Sequence, residues 1–302
     1  MPSLKIIRKR IVSTKATQKI TKAMKMVAGA RLARAQQRIV ALRPYAIKTA
    51  EVLQNVATSM LPKDSEAESV PEHPLLAVRD EKNVLLVVLT SDRGLCGAFN
   101  TNINKAALRA WREKESAGAT VSMATIGRKG REFLQRNKAN VVQDFPGIYD
   151  KLDLTKVLIV SNWLVPRFEK AEFDAIYVVY NEFKSAISQK LVVERLLPIA
   201  RPSQEVVEES KTPALAAEYI FEPSQPALLE KLVPMYIEIS IYRALLESQA
   251  SEHGARMSAM DSATRNAKDM IARLTLLYNR ARQAAITKEL MEIIGGAEAL
   301  KD

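Results

Sequence analysis

From Pro226 to Ile294 the chain keeps an apolar stripe at helical spacing. Steps of three and four pick out Leu228, Leu232, Met235, Ile239, Tyr242 and Leu246. A polar interlude of Gln249, His253 and Arg256 follows, then Met260, Ala263, Ala267, Met270, Leu274, Leu277, Ala281 and Ala284. A helix of that span measures on the order of 100 Å, at 1.5 Å per residue. One small domain cannot bury it, so it must pair with a second long element and project in part. Ser224 to Pro226 reads as its entry, because proline is favoured in a first turn. Pro234 is expected to bend the early turns and Gly295-Gly296 to fray the end.

The second long element lies at the other terminus. The same spacing gives Leu4, Ile7, Ile11, Thr14, Gln18, Thr21, Lys25, Ala28, Leu32, Ala35, Ile39, Leu42, Ala46, Thr49, Leu53 and Val56. Ser3 is a plausible N-cap, and Pro44 predicts a local kink. The stripe is polar in its middle, where Ile20, Ala23, Met24 and Val27 mark another face, so the seam is interrupted or shared with a further partner. Small residues on both stripes, such as Ala28, Ala35, Ala263 and Ala267, let backbones approach closely. An antiparallel pair of the two chain ends is the expected arrangement, because the intervening domain can bring them together.

Charge sharpens this picture. No acidic residue precedes Glu51, whereas Lys5, Arg8, Lys9, Arg10, Lys15, Lys19, Lys22, Lys25, Arg31, Arg34, Arg38, Arg43 and Lys48 are all basic, in a chain of net charge +11. Such a helix can face nucleic acid, anionic lipid or an acidic protein. With only Tyr45 for base stacking and charges all round its circumference, it fits an acidic protein partner surrounding it better than nucleic acid. A transit peptide is disfavoured because the helical pattern continues past Val56, and a secretory signal by the scattered charges. No apolar run approaches the roughly 20 residues that span a bilayer. Cys96, the only cysteine, has no internal disulfide partner.

Between the ends, Leu61 to Asp80 is rich in proline, serine and acid, and Arg201 to Ala217 is polar and acidic. The intervening sequence alternates. Strands are expected at Val84–Thr90, Val121–Ile126, Val141–Asp144, Ala175–Tyr180 and Lys190–Leu197, and helices at Asn102–Glu115, Arg128–Arg136 and Leu154–Glu169. That order predicts an α/β layer with a mostly parallel, Rossmann-like sheet. The division is therefore residues 1–60, an N-terminal helix; 61–80, a linker; 81–200, the α/β domain; 201–223, a second linker; and 224–302, the C-terminal helix.

Thr90 to Asn100 follows the first strand, where such a layer would bind a phosphate. Its glycines fit neither GxGxxG nor the P-loop, so a tight strand-to-helix turn is the better reading. Cys96 has no base nearby in sequence, since the histidines are His73 and His253, and reads as a packed small residue. His253 joins Gln249 and Arg256 in what reads as a polar layer of the helix pair. Nothing has metal-ligand spacing, and no cofactor is expected.

Three blocks resemble the gamma subunits of F-type ATP synthases. They are Ile6–Ile11 with Thr17–Ala28, the turn Ser91-Asp92-Arg93-Gly94-Leu95-Cys96-Gly97, and Ser251–Met257 with Ala259-Met260, Tyr278–Ala284 and Ile286–Leu290. The resemblance covers essentially the whole chain. It implies a non-catalytic rotor shaft inside a ring of three alpha and three beta subunits, coupling transmembrane proton flow to ATP synthesis or hydrolysis. It further implies that Lys22, Met24, Lys25, Arg256, Arg282, Gln283, Thr287 and Glu289 meet the beta subunits. Tyr219, Phe221 and Glu222 would lie at the foot, facing the membrane c-ring and the epsilon subunit. A bacterial origin is expected, peripheral on the cytoplasmic side of the inner membrane, and no thiol regulation, since Cys96 is alone. Ala98-Phe99 and Pro234 depart from the family pattern, so local packing there is expected to be particular to this chain. A nucleic-acid-binding coiled coil and a nucleotide-dependent enzyme built on the middle layer are the alternatives from other classes.

Overall fold

The computed structural model describes residues 3–59, 74–186, 188–199 and 224–298. Most of the two expected linkers, including His73, lies outside them, as does the expected foot. The chain forms two compact units, one of Arg31–Ala255 and one of Met1–Ala30 with Arg256–Asp302. The helices α1 (Leu4–Ser59) and α5 (Gln225–Glu298) each contribute to both.

The larger unit is built on a sheet ordered β3-β2-β1-β4-β5. In chain order these are β1 (Asn83–Leu89), α2 (Phe99–Ser116), β2 (Thr120–Ile126), α3 (Arg128–Arg136), β3 (Val141–Phe145), α4 (Leu154–Glu169), β4 (Ala175–Phe183) and β5 (Gln189–Leu197). The β1–β2, β1–β4 and β2–β3 pairings are parallel, and β4–β5 is an antiparallel hairpin. Every expected strand and helix is present, with β4 and its hairpin partner extending beyond the expected Tyr180 and Lys190 to Phe183 and Gln189. The reason is pairing: Phe183 lies opposite Gln189 and Glu182 opposite Lys190, so cross-strand bonds hold residues whose own patterning is weak.

Strand β1 is a continuous apolar run because both its faces are covered. Leu85, Val87 and Leu89 join one core with α4 residues Val157, Val160 and Leu164 and α5 residues Val233, Ile237, Leu245 and Leu246. Val84, Leu86 and Val88 join the other, with Phe99, Ile103 and Ala107 of α2 and Leu134 of α3. Cys96 and Phe99 both fall in this second core, each 2% exposed, so the departure at Phe99 is absorbed as core packing. Leu75, in a short 3-10 turn at Pro74–Leu76, is fully buried in the first core. Leu53 of α1 is buried beside it, with Ile39, Leu42 and Val52 packed against that core.

The smaller unit is a helix pair. Thr21 Oγ1 lies 2.8 Å from Thr264 Oγ1, Lys25 Nζ donates to Asp261 Oδ1, and the Met257 sulfur lies 3.4 Å from where a side chain on Gly29 would begin. As α1 numbers rise, α5 numbers fall one for one, so the two run antiparallel. Leu4, Ile7, Ile11, Thr14, Gln18, Thr21, Lys25 and Ala28 are buried or half-buried, as the α1 stripe predicts. On α5 the seam is Met260, Thr264, Ala267, Ile271, Leu274, Tyr278, Ala281 and Ala285. The expected seam differs at alternate positions: Met270 is 55% and Leu277 46% exposed, and Ala284 is exposed while Ala285 is half-buried. A heptad permits three-then-four or four-then-three steps. Met270-Ile271, Leu277-Tyr278 and Ala284-Ala285 offer apolar candidates in either phase, and the hydroxyl contact at Thr264 goes with the second.

Helix α1 begins where expected, with Ile6 and Ile7 N–H groups donating to the Ser3 carbonyl. The Ala227 and Leu228 N–H groups donate to the Ser224 hydroxyl and carbonyl. Neither Pro44 nor Pro234 ends its helix. Val40 and Glu230, whose carbonyls lose a donor, are exposed, so water can satisfy them. Gly295-Gly296 does not terminate α5, which continues to Glu298.

The tightest backbone approach joins β1 to the start of α3. The Thr90 hydroxyl lies 3.1 Å from the Gly127 carbonyl, to which it donates, and accepts from the Gly130 N–H at 2.7 Å. A Cβ on Gly127, whose φ is 99°, would sit 2.1 Å from the Thr90 carbonyl oxygen, whereas one on Gly118, φ 89°, would meet nothing within 4 Å. Gly127→Ala should therefore lower unfolding free energy by about 2–4 kcal/mol, clearly more than Gly118→Ala, as read from urea denaturation midpoints.

Candidate functional site

In the smaller unit, Lys5, Arg8, Lys9, Arg10, Lys15, Lys19 and Lys22 are exposed and form no ion pair among the described residues. Lys25 is the exception. Its ammonium holds the Asp261 carboxyl below the ordinary aspartate range, with Arg265 adding to the effect. Among the described residues, Asp261 is thus the one counter-charge this stretch of α1 meets in the pair. It follows the seam residue Met260 directly, which is the only sequence signal for it.

The expected contact residues fall in two groups. Met24 and Lys25 are half-buried and Lys22 exposed near Asp261, and Arg256 is half-buried a little over one turn from Asp261 along α5. Arg282, Gln283, Thr287 and Glu289 are all exposed, on the order of 30 Å farther along α5. Continuing the antiparallel pairing puts Leu4 opposite Ala281 and Arg282, so α5 outruns α1 here. Beyond that point Ile286, Leu290, Met291, Ile293 and Ile294 are each more than half exposed. This apolar end was not singled out in the sequence, because its residues continue a stripe that elsewhere is seam. Tyr219, Phe221 and Glu222 lie outside the described residues.

In the larger unit the place to look for a ligand is the carboxyl end of the sheet, between β1 and β4, where strand order reverses. The turn after β1 is closed by its own side chains. Ser91 N–H donates to Asn100 Oδ1 at 3.0 Å, Asn100 Nδ2 donates to Ser91 Oγ at 2.8 Å, and Ser91 Oγ donates to the Arg93 carbonyl at 2.6 Å. Asp92 accepts from the Arg128 N–H at the start of α3. Helix α5 occupies the opening by β4. The Ser251 hydroxyl donates to the Asn181 carbonyl at 2.9 Å, and Gly254 lies against Ala186 and Phe183. His253 is buried here with its Nδ1 2.6 Å from Glu252 Oε2. Among the described residues no group of three or more His, Cys, Asp or Glu side chains has the geometry to hold a metal.

Beside this seat lies a charged cluster shared by β4, β5 and α5. Arg243 pairs with Glu194 at 2.6 Å, Lys184 with Glu182 at 2.6 Å, and the Tyr180 hydroxyl donates to Glu194. Glu247 is the third carboxyl, and its Oε2 is buried without a hydrogen-bond partner. Burial pushes its pKa up to about 7, repulsion from Glu182 and Glu194 adds to the rise, and Arg243 and Lys184 only partly offset it.

An antiparallel pair made from the two chain ends, with an exposed basic and apolar surface, and an α/β layer against whose β4–β5 hairpin the C-terminal helix packs are the architecture of a stalk-like, structural subunit. The family model described as ATP synthase matches residues 3–300. The ATP synthase gamma chain of Sorangium cellulosum (strain So ce56) is 56% identical over the full length of both chains. That of Geobacter sp. (strain M21) is 50% identical, again over both full lengths. Among solved structures, a chain of the Tetrahymena thermophila mitochondrial ATP synthase central stalk and c-ring superposes with a TM-score of 0.60 at 26% identity, over 81% of this chain and 99% of that one. A chain of the Euglena gracilis mitochondrial ATP synthase shares the fold with a TM-score of 0.64 at 20% identity, over 98% and 94%. The chain belongs to the ATP synthase gamma-chain family. It is a non-catalytic stalk subunit of a membrane-associated complex, and none of its described helices is long and apolar enough to cross a membrane.

The Glu247 environment carries a pH signature. An unfolded carboxyl loses its proton near 4.5, whereas the folded one keeps it to about 7. The folded state binds the extra proton between those values, so stability falls as pH rises through that window and levels off above it. Glu247→Gln should remove this part of the slope and make the chain more stable than the parent above about pH 7, as measured by denaturant titrations across pH.

Proposed function

We propose that this chain is the rotor shaft that couples transmembrane proton flow to ATP synthesis and hydrolysis in a ring of three alpha and three beta subunits, with the epsilon subunit and the membrane c-ring as its other partners. The observation that carries this reading is the surface of the smaller unit: a run of exposed basic residues on α1, without ion pairs among the described residues, and a bare apolar end on α5. A monomer in water gains nothing from either, and both fit a surrounding protein sleeve with acidic and apolar linings. Two antiparallel helices have no three-fold axis. They present different side chains to each of three equivalent neighbours and so favour a different conformation in each.

In this reading Lys22, Met24, Lys25 and Arg256 meet beta-subunit loops at one level, and Arg282, Gln283, Thr287 and Glu289 at another. Tyr219, Phe221 and Glu222 belong to the foot, toward the c-ring and epsilon. The Tetrahymena relative, solved with its c-ring, supports a c-ring partner for the chain. The complex would lie on the cytoplasmic side of a bacterial inner membrane. The domain reading is two terminal shaft helices, residues 1–60 and 224–302, an α/β domain at 81–200 and connecting segments at 61–80 and 201–223.

Truncation after Leu277 tests the shaft. It removes Tyr278, Ala281 and Ala285 from the seam and the whole bare end, yet none of the sheet or its cores. Proton-driven ATP synthesis in vesicles should fall several-fold while hydrogen-exchange protection of the sheet is retained; undiminished synthesis would overturn the reading. Neutralising Lys22 and Lys25 together should impair coupling or assembly more than neutralising Lys105, which is exposed on α2. Equal effects in a proton-pumping assay would make the basic arm ordinary solvated surface.

A further inference from the structure

Strand β5 is an edge of the sheet and pairs only with β4. Arg243 ties it to α5: its Nη2 donates to Glu194 Oε1 at 2.6 Å. The Tyr180 hydroxyl of β4 donates to the other oxygen of that carboxylate at 2.9 Å. Two buried polar atoms of α5 are left over beside this tie. Arg243 Nε is a donor and Glu247 Oε2 an acceptor, and neither has a hydrogen-bond partner among the described residues. Side chains four residues apart on a helix are neighbours, and a buried polar atom costs free energy as long as it stays unpaired.

The charged groups around Glu247 constrain what it can do. Glu182 is paired with Lys184 at 2.6 Å, and Glu194 with Arg243. Lys190, opposite Glu182 in the hairpin, is exposed. Arg243 and Lys184, the cations that act on Glu247, are thus committed to the two other carboxylates, which repel it. Protonated, Glu247 adds no charge to the cluster. Ionised, it adds a third carboxylate, and Arg243 is the cation one turn away on the same helix.

We propose that Arg243 is a proton-operated clasp: with Glu247 protonated it holds Glu194 and ties β5 to α5, and with Glu247 ionised it swings to that carboxylate and releases the hairpin. A guanidinium can offer its Nε–H and one Nη–H together to the two oxygens of a carboxylate. The swing therefore satisfies both orphan atoms in exchange for the Glu194 bond, and Glu194 keeps the Tyr180 hydroxyl. Burial and the two neighbouring carboxylates hold the Glu247 proton to about 7, against 4.5 for a free carboxyl. The clasped form binds that proton more tightly, so low pH favours it. Release grows as pH rises from 4.5 to 7 and levels off above. All these groups lie in the larger unit, so the clasp is independent of the rotor reading.

Double-mutant cycles on the full chain, read from denaturant unfolding at pH 6 and pH 8, test the exchange of partners. Coupling between Arg243→Gln and Glu194→Gln, as a factor in the unfolding equilibrium constant, should be several-fold larger at pH 6 than at pH 8. Coupling between Arg243→Gln and Glu247→Gln should change in the opposite direction. A Glu194 coupling equal at the two pH values, or no Glu247 coupling at pH 8, would overturn the proposal. Should Arg243→Gln fail to fold, hydrogen exchange at the Leu191–Arg195 backbone decides instead. Its protection factors in the parent should fall about tenfold from pH 6 to pH 8, and in Glu247→Gln they should stay constant. Constant protection in the parent, or an equal fall in the variant, would overturn it.

Discussion

Burial of α5 changes character along its length, and the rest of the structure depends on that change. Between Leu232 and Ala255 no residue of the helix is exposed, because the sheet, α4 and α1 together cover it. Beyond Arg256 it is covered along a seam two residues per heptad wide, which is what a single partner helix provides. The first stretch fixes the α/β layer, because Val233, Ile237, Ile241, Ala244 and Leu245 complete one of its two cores. The second defines the helix pair. One continuous helix therefore serves as a core element in one unit and as half of a two-stranded coil in the other.

Periodicity made most of the fold legible. The strands of the layer are short apolar runs between turn residues, and its helices carry one apolar face each, so type and order could be read directly. The α1 seam was readable at Leu4, Ile7 and Ile11 and again from Ala28, where the stripe is apolar; across Thr14–Lys25 it is polar and Ile20, Ala23, Met24 and Val27 offered a second face, so only the partner helix shows that the stripe stays the seam there. The α5 seam was not readable, because apolar residues stand side by side at 270–271 and 277–278 and only the partner selects between them. Strand ends at Phe183 and Gln189 were missed because pairing, not patterning, holds them. The turn at Ser91–Gly97 was read correctly as a connection: its serine, asparagine and cysteine are spent on one another.

The α5 seat was the least legible feature. Gln249, His253 and Arg256 read as a polar layer of a coiled coil, since polar residues at that spacing carry no signal for burial against a sheet. Only the approach of Ala186 to Gly254, a contact between residues far apart in sequence, reveals what the glycine is for. Glu247 is similar. Its two acidic neighbours arrive from β4 and β5, so nothing local foretells that its carboxyl will hold a proton to about 7.

The Lys25–Asp261 and Thr21–Thr264 contacts have one more effect. A seam rich in alanine is nearly self-similar every seven residues and, on apolar packing alone, would tolerate sliding. Advancing α5 by one heptad would set Lys25 against Lys268 and Thr21 against Ile271. Two like charges would then face each other, and a half-buried hydroxyl would lose its cross-helix partner, which costs on the order of 1–3 kcal/mol. The polar rungs thus act as a vernier, giving the coil a single length setting that its greasy contacts could not specify.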